Sequence, residues 1–336
     1  MIRFSVLQAR TQELLAVGAL AIVAVVLAAT GPGIVHLYDT TVVTCGVHHV
    51  CATATSSFTG TDGPLQVIVD FLVLVVPALI GMFWGAPTVA REFESGTFRL
   101  AWTQGVTRTR WIATKFGLGV AASMLAAGLV SLMATWWSSL FDRVSPEIFN
   151  PLIYASRALV PVGYAAFAFA LGFTAGAILR RVLPAVLVAL AGYVGVRAIV
   201  QELIRPHLFA PLHRAFAITA VPLAGFDLNS GTARVMTTTK GVMPSAWVLS
   251  NQVMGPAGRA PSSAFLIHSC EFNATTGAFN PKACVAHLVA ARFHELVSFI
   301  PTSRYWPMQW YETAIFVALT FLIGVACTLW IRHHIS

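Results

Sequence analysis

The stretch "VVPALIGMFWGAPTVAREFESGTFRLAWTQGVTRTRW", residues 75–111, shows how this chain is organised. An apolar run gives way to a segment with four arginines and two glutamates, and a second apolar run begins directly after it. About 20 consecutive apolar residues are enough for a helix to cross a bilayer. The alternation predicts two membrane-spanning helices joined by a polar loop.

The composition of the whole chain supports the same interpretation. Only 10% of the residues are charged and 57% are hydrophobic, whereas a soluble domain carries about 25% charge. With a mean hydropathy of +0.75, the chain is predicted to be a polytopic membrane protein. The net charge of +8 does not indicate nucleic acid as a partner, because the basic residues lie at the edges of apolar runs and form no continuous stripe.

Six stretches are long and apolar enough to be spans, namely 14–30, 66–86, 112–138, 157–179, 182–204 and 312–331. The predicted fold class is therefore an all-α polytopic membrane protein with six transmembrane helices. Residues 1–204 contain the first five helices and a loop at 87–111. Residues 205–311 form a segment on the other side of the membrane, and residues 312–336 contain the last helix and a tail.

Basic residues predict the orientation, because cytoplasmic loops carry an excess of Lys and Arg. Arg3 and Arg10 precede the first span, the pair at 180–181 separates the fourth and fifth, and Arg332 follows the last. Loop 31–65 has no Lys or Arg. Six spans place all basic segments on one side, so both termini are predicted to be cytoplasmic.

The first span has an alternative interpretation as a signal peptide, since basic residues precede an apolar run that ends in small residues. That run of about 17 residues is longer than the 7–15 that are typical of a signal peptide. A retained span is favoured, because cleavage would leave an odd number of spans.

The segment 205–311 is predicted to form a small extracytoplasmic subdomain. Residues 208–226 are apolar but contain two prolines, which suits a helix at the membrane interface or a re-entrant element. Residues 227–262 have the composition of an exposed loop, and residues 285–300 have helical periodicity. The aromatic residues that follow predict contact with membrane lipids and are Tyr305, Trp306, Trp310 and Tyr311.

Cysteines occur in both predicted outer segments. We expect one local disulfide in each, between Cys45 and Cys51 and between Cys270 and Cys284, although four cysteines allow three pairings. Zinc binding by the first pair together with His48 and His49 is the alternative, which an oxidising compartment disfavours. No metal site is predicted.

Patterns for nucleotide binding and hydrolysis are missing from the sequence. There is no G-x-x-x-x-G-K-[ST] loop, no H-E-x-x-H and no G-x-S-x-G. The chain is predicted not to be an enzyme and to hold no cofactor of its own.

Charged residues inside the spans are few. Asp70, Arg197 and Glu202 are candidates, and Arg197 is expected to pair with one of the two carboxylates unless all three reach the outer interface. Two Gly-x-x-x-Gly patterns, at 81–85 and 172–176, predict close approach between helices.

The arginines of loop 87–111 are explained by orientation, but its glutamates, its glycine and its aromatic residues are not. We expect a short cytoplasmic helix, a turn at Gly96 and a second short helix that leads into the third span. Such a surface is suited to docking a cytoplasmic protein.

The segment "REFESGTFRLAWTQGVTRTRWIATK" resembles the intracellular loop of ATP-binding-cassette exporter permeases of the type V class, particularly their actinobacterial branch. The matching residues are Glu94, Gly96, Thr97, Arg108, Arg110, Trp111 and Lys115. "MIRFSVLQARTQ" resembles the amphipathic amino-terminal helix of that family, and "PTSRYWPMQWYETAIF" resembles the start of its last span.

The resemblance implies a multi-pass permease of a bacterial plasma membrane. It implies a second permease, either a copy or a related chain, and a separate ATPase subunit that binds ATP and Mg. Amphiphilic cargo would be moved outward. The implied ATPase-coupling residues are Arg91, Glu92, Glu94, Gly96, Thr97, Arg99, Trp102, Gln104, Arg108 and Arg110. The implied substrate-pathway residues are Phe71, Phe83, Trp84 and Tyr193.

Two other functions remain open at this point. A membrane-embedded transferase for a lipid-linked substrate would need an acid or base near the outer surface, and Asp70, Glu202, Asp227 and Glu295 are available without a motif that links them. A membrane anchor without transport activity would recruit its partner through the same loop.

Overall fold

The computed structural model describes residues 2–43, 51–96, 107–144, 147–218, 223–229, 232–237, 243, 245–256, 258–270 and 280–334. The chain forms two compact units. The first consists of Met1–Arg205 together with Trp306–Ser336, and the second is Pro206–Tyr305.

The helices are α1 Ile2–Tyr38, α2 Cys51–Leu79, α3 Ala86–Ser95, α4 Arg108–Trp137, α5 Ser139–Val144, α6 Pro151–Ser156, α7 Val160–Leu179, α8 Val182–Ile199, α9 Ser263–Ser269, α10 Pro281–Ala290 and α11 Tyr305–His334. The strands are β1 Leu212–Ala217, β2 Leu223–Asn229, β3 Thr232–Thr237, β4 Trp247–Met254 and β5 His294–Ile300. Turns of π-helix follow α1, α2 and α8.

The predicted six-span architecture is confirmed. Within the described residues, six helical segments are long and apolar enough to cross a membrane. They are Ala21–Tyr38, Gly63–Ser95, Thr109–Trp137, Val160–Leu179, Val182–His207 and Thr302–His333.

The second of these segments is longer than the sequence predicts. It continues from α2 through the π-helical turn Ile80–Gly85 into α3, so the predicted short cytoplasmic helix is an extension of the span. Its 33 residues correspond to about 50 Å of helix, whereas a bilayer core is about 30 Å thick. The helix therefore extends beyond the apolar layer at the α3 end.

Helix α7 lies at the centre of the first unit, and most of its residues are buried. Its small residues allow this position, because the two Gly-x-x-x-Gly patterns lie against each other. A Cβ atom on Gly81 would lie 2.7 Å from the carbonyl oxygen of Ala168, and one on Gly176 would lie 2.5 Å from that of Ala86. The predicted close approach of helices is confirmed at these glycines.

The second unit contains strands that the sequence analysis does not predict. Strands β1, β5 and β4 form an antiparallel sheet in that order, and β2 and β3 form a separate pair. The predicted interface helix at 208–226 is therefore wrong, as is the exposed loop at 227–262. Prolines 211 and 222 precede the strand regions, and the backbone groups of β1 that face β5 are satisfied by pairing.

The predicted helix at 285–300 is only partly present. Helix α10 ends at Ala290, and the positive φ of 56° at Arg292 marks the change of direction before β5. Within β5, alternate residues Glu295, Val297 and Phe299 are buried, which is the two-residue period of a strand. The spacing of three between Leu296 and Phe299 fits a helix and places the two residues on opposite faces of a strand, so pairing with two strands selects the extended form against the local period.

Cys270 and Cys284 form a disulfide that joins the ends of α9 and α10. The two sulfurs lie in a small core with Ile218, Val253, Leu266 and Leu288. Cys45 and the side chain of Cys51 lie outside the described residues, so their pairing stays a prediction.

Removing the Cys270–Cys284 disulfide should destabilise the second unit by about 3 kcal/mol, because the bond closes a loop of 14 residues. We expect faster proteolysis of this unit in the Cys270→Ser/Cys284→Ser double variant, with the helices of the first unit still protected. Wild-type protein treated with reductant is the matched comparison. Equal protease resistance with and without reductant would contradict the prediction.

Candidate functional site

Helix α3 begins as a buried element and ends as an exposed one. Ala86, Val89 and Ala90 are fully buried, and Ala86 lies directly beside Gly172 and Gly176 of α7. Further along the helix, Arg91, Glu94 and Ser95 are exposed. Helix α3 ends at Gly96, whose positive φ of 69° is the left-handed conformation that glycine adopts readily. The predicted turn at Gly96 is confirmed.

Glu92 joins α3 to the third span. Its carboxylate accepts a hydrogen bond from the ammonium group of Lys115 on α4, and both side chains are mostly buried. The Lys115 ammonium also lies 4.8 Å from the centre of the Trp111 ring. Because a buried charge is stable only when it is paired, this contact fixes the separation of α3 and α4.

Glu94 and Phe93 join α3 to the turn between the fourth and fifth spans. The Glu94 carboxylate accepts a hydrogen bond of 2.9 Å from the backbone N–H of Val182, the first residue of α8. A carboxylate at this position satisfies an N–H that has no partner within its own helix and interacts favourably with the helix dipole. Next to it, the Arg180 guanidinium lies 5.7 Å from the centre of the Phe93 ring.

These contacts make a site from three separate parts of the sequence, which we call the α3 site: α3, the start of α4 and the turn at 180–182. Its surface carries the exposed side chains of Arg91, Arg110, Arg180 and Arg181. Glu92 is paired with Lys115, and Glu94 is exposed, so the surface carries four arginines against one glutamate and is basic. A force applied to α3 would be transmitted to α4, α7 and α8.

The structure places only some of the predicted coupling residues. Arg91, Glu92, Glu94, Gly96 and Arg110 belong to the α3 site. Arg108 is the first residue of α4, and its side chain is not described. Four residues lie outside the described ranges, namely Thr97, Arg99, Trp102 and Gln104. The predicted second short helix lies there too.

A buried polar cluster, which no sequence pattern predicts, occupies the opposite end of the first unit. Arg205 donates hydrogen bonds of 2.9 Å to both carboxylate oxygens of Glu312 on α11. The Tyr164 hydroxyl donates to the same carboxylate at 2.6 Å. Arg205 and Glu312 are 3% and 0% exposed. Both residues fall at the edges of the predicted spans, where charged residues are ordinary, so position in the sequence gives no signal of their burial.

Gln309, one turn before Glu312 on α11, forms hydrogen bonds with backbone groups at the start of α7. Its side-chain oxygen accepts hydrogen bonds from the backbone N–H groups of Leu159 and Val160, at 3.2 and 3.0 Å. Its amide group donates to the carbonyl oxygen of Tyr154. The polar residues of α11 therefore hold the fourth and last spans together where each begins.

Asp70 has a different partner from the predicted ones. It pairs with Arg157, with the nearest N–O distance 3.0 Å, and accepts a further hydrogen bond of 2.9 Å from Ser156. Arg157 also approaches Asp142 at 3.7 Å. Desolvation by burial raises the pKa of Asp142 above its ordinary value, against the opposing effect of Arg157. The predicted pairing of Asp70 with Arg197 is thus wrong, because Arg157, which lies just before α7, forms the ion pair with this carboxylate.

Arg197 also makes no ion pair with Glu202 among the described residues. Its guanidinium donates a 3.4 Å hydrogen bond to Gln201, and Gln201 donates to Glu202.

The four predicted pathway residues divide into two environments. Phe71 and Phe83 are exposed on the surface of the first unit, whereas Tyr193 is buried. Trp84 is partly buried and packs edge-on against Phe169, with ring centres 6.2 Å apart. Their role in a pathway stays a prediction.

Comparison with known proteins places the first unit in a family. Curated proteins and solved structures give no match to this chain. The family model described as ABC-2 membrane transporter related matches residues 17–205, which is more than half of the chain. The match runs from the first span to the end of α8 and includes the whole α3 site. The chain belongs to the ABC-2 membrane transporter related family.

Proposed function

We propose that this chain is the permease of an exporter that moves an amphiphilic substrate outward across a bacterial plasma membrane, with ATP hydrolysed by a separate subunit docked on the α3 site. Family membership supports the coarser statement that the chain is a multi-pass membrane protein and a permease component that works with an ATP-binding subunit. The type V class, the outward direction and a second permease belong to the proposal.

One observation carries the proposal: the exposed end of α3 is bonded to two other spans. Lys115 of α4 and Val182 of α8 both contact glutamates of α3. A partner that binds the basic surface and changes shape on ATP binding would move α3. Because α3 is continuous with the second span and packs on α7, that movement would reach the membrane-embedded part of the first unit. An anchor would need no such connections.

The proposal is tested by co-expressing the full chain with candidate cassette ATPases and measuring complex formation and ATP hydrolysis in nanodiscs. We expect a stable complex whose ATPase activity rises on reconstitution with the permease. The matched control is each ATPase with empty nanodiscs. Failure of every candidate ATPase to bind would overturn the proposal. Binding without transport of any amphiphile would favour the anchor.

Replacing Glu94 with Ala should uncouple ATP hydrolysis from transport while leaving membrane insertion intact. The variant loses the acceptor for the Val182 N–H, at a cost of about 1 kcal/mol, which is small enough to leave the fold in place. Glu94→Gln keeps an acceptor oxygen and should stay close to wild type. The measurement is the amount of a fluorescent amphiphile exported per ATP hydrolysed in proteoliposomes.

The matched control for Glu94→Ala is Asp39→Ala, which removes an exposed carboxylate at the opposite end of the unit. Its transport per ATP should equal that of the wild type. If Glu94→Ala also shows the wild-type ratio, the contact between α3 and α8 plays no part in coupling.

A further inference from the structure

Two buried polar atoms on α8 have no hydrogen-bond partner among the described residues, and they are the hydroxyl oxygen of Tyr193 and the Nε of Arg197. The two residues are four positions apart, so they lie on one face of the helix, one turn from each other. Tyr193 is 3% exposed. Both groups are hydrogen-bond donors, so a hydrogen-bond acceptor would be bound at this position.

Arg197 lies on the inward-facing side of α8. The buried residues of α8 and the turn after it are Ala185, Ala189, Tyr193 and Val200. Arg197 continues this series at a spacing of four after Tyr193 and three before Val200. Val194, three positions before Arg197 and next to it on the helix surface, is 54% exposed. The guanidinium is therefore on the border between the buried polar cluster and an exposed apolar surface.

The charges around Arg197 do not balance. Its guanidinium lies 5.4 Å from the centre of the Tyr164 ring, and Tyr164 contacts both Arg205 and Glu312. Both oxygens of Glu312 already accept hydrogen bonds from Arg205. The group thus contains two guanidiniums and one buried carboxylate, since Glu202 is exposed and is linked to Arg197 only through Gln201. A positive charge within a membrane span without a counter-charge is unfavourable, so an anion at this position would be stabilised.

We propose that Tyr193 and Arg197 bind the oxyanion headgroup, a carboxylate or a phosphate, of an amphiphile. The guanidinium provides paired N–H donors that match an oxyanion, and the Tyr193 hydroxyl provides a third. The exposed apolar side of α8 next to Arg197 provides a surface for the hydrocarbon part, with Leu187 and Val194 on it. The inference deepens the proposed function and rests on it for the statement that the amphiphile is cargo: the substrate class is anionic.

The site is tested on the full permease in phosphatidylcholine nanodiscs, with anthroyloxy-labelled stearate as the probe and its methyl ester as the uncharged match. Energy transfer from tryptophan to the probe reports binding, and empty nanodiscs give the background. At a pH at which the probe carboxyl is ionised, we expect the acid to bind at least about tenfold more tightly than the ester, because charge-assisted hydrogen bonds form only with the acid.

Arg197→Gln should remove the difference in affinity between the acid and the ester, and Arg197→Lys should keep part of it because the charge remains. Tyr193→Phe should weaken binding of the acid by a few-fold and leave binding of the ester unchanged. The matched control is Arg332→Gln, which removes one positive charge far from the site. If the wild type binds acid and ester equally, or if Arg197→Gln still distinguishes them, the proposal is overturned.

Competition identifies the source of the oxyanion. Displacement of the probe by phosphatidylglycerol added to the nanodisc supports binding of a membrane lipid by its headgroup. Displacement by anionic amphiphiles added from solution supports binding of a soluble cargo. Displacement by inorganic phosphate alone overturns the amphiphile part of the proposal. None of these measurements requires an ATPase. Loss of binding here therefore leaves the permease assignment standing, and failure to find an ATPase leaves the binding result interpretable.

Discussion

Arg205→Gln should reduce the stability of the first unit by about 3–5 kcal/mol, the cost of breaking a buried ion pair by removing one partner. Glu312, which is 0% exposed, would lose its counter-ion and both hydrogen bonds from Arg205. Tyr164 would remain as its donor. Because the pair lies within membrane-length helices, water has little access to replace the guanidinium.

Thermal unfolding in detergent, followed by size-exclusion chromatography, measures this effect. Glu312→Gln should be similarly unstable, and the double variant Arg205→Met/Glu312→Leu should be more stable than either single variant, because no charge is left unpaired. Glu202→Gln removes an exposed carboxylate only three residues from Arg205 and is the matched control. A single variant that unfolds at the wild-type temperature would show that the ion pair contributes nothing.

Gly172→Leu should prevent the first unit from folding, and Gly172→Ala should destabilise it by about 1–3 kcal/mol, the usual cost of overpacking. A Cβ atom on Gly172 would overlap the carbonyl oxygen of Gly81 and would lie 2.8 Å from the backbone nitrogen of Ala86. Both neighbours are backbone atoms, so no side-chain rotation can make room. The span that ends in α3 would have to move away from α7.

Gly195→Ala is the matched control for Gly172→Ala. Gly195 lies on α8 and a Cβ atom there would meet nothing within 4 Å. Alanine has the higher helix propensity, by up to about 1 kcal/mol, so this variant should be as stable as the wild type or more so. The measurement is the fraction of protein that elutes as a single species after heating. Equal behaviour of the two alanine variants would show that the helices separate without cost.

The membrane architecture could be predicted from the sequence because it depends on local composition. Each span is a run of apolar residues, and the free energy of placing such a run in a bilayer is close to a sum over its own residues. The close approach of helices at the two Gly-x-x-x-Gly patterns and the turn at Gly96 could also be predicted from the sequence, since each depends on a residue without a side chain. The loop that contains α3 could also be singled out, because it carries charge that membrane orientation leaves unexplained, but its contacts with the turn at 180–182 could not be predicted.

The strands of the second unit could not be predicted in the same way. Residues 285–300 carry apolar side chains at spacings that fit a helix, yet β5 forms there because β1 and β4 lie on both sides of it. Strand formation depends on hydrogen bonds to residues about 80 and 45 positions earlier in the chain, such as Arg214 and Asn251 opposite Val297. A local period carries no information on those partners.

The sequence by itself determined where the chain can cross a membrane, which loop is basic and where helices can approach closely. Only the tertiary structure decided how the charges pair: Asp70 with Arg157, Glu312 with Arg205 and Glu94 with the first N–H of α8. The physical reason is that burial in a bilayer is a property of each segment alone. The partner of a buried charge is whichever group the packing of distant helices brings within hydrogen-bonding distance, and that same packing leaves Arg197 without a carboxylate among the described residues.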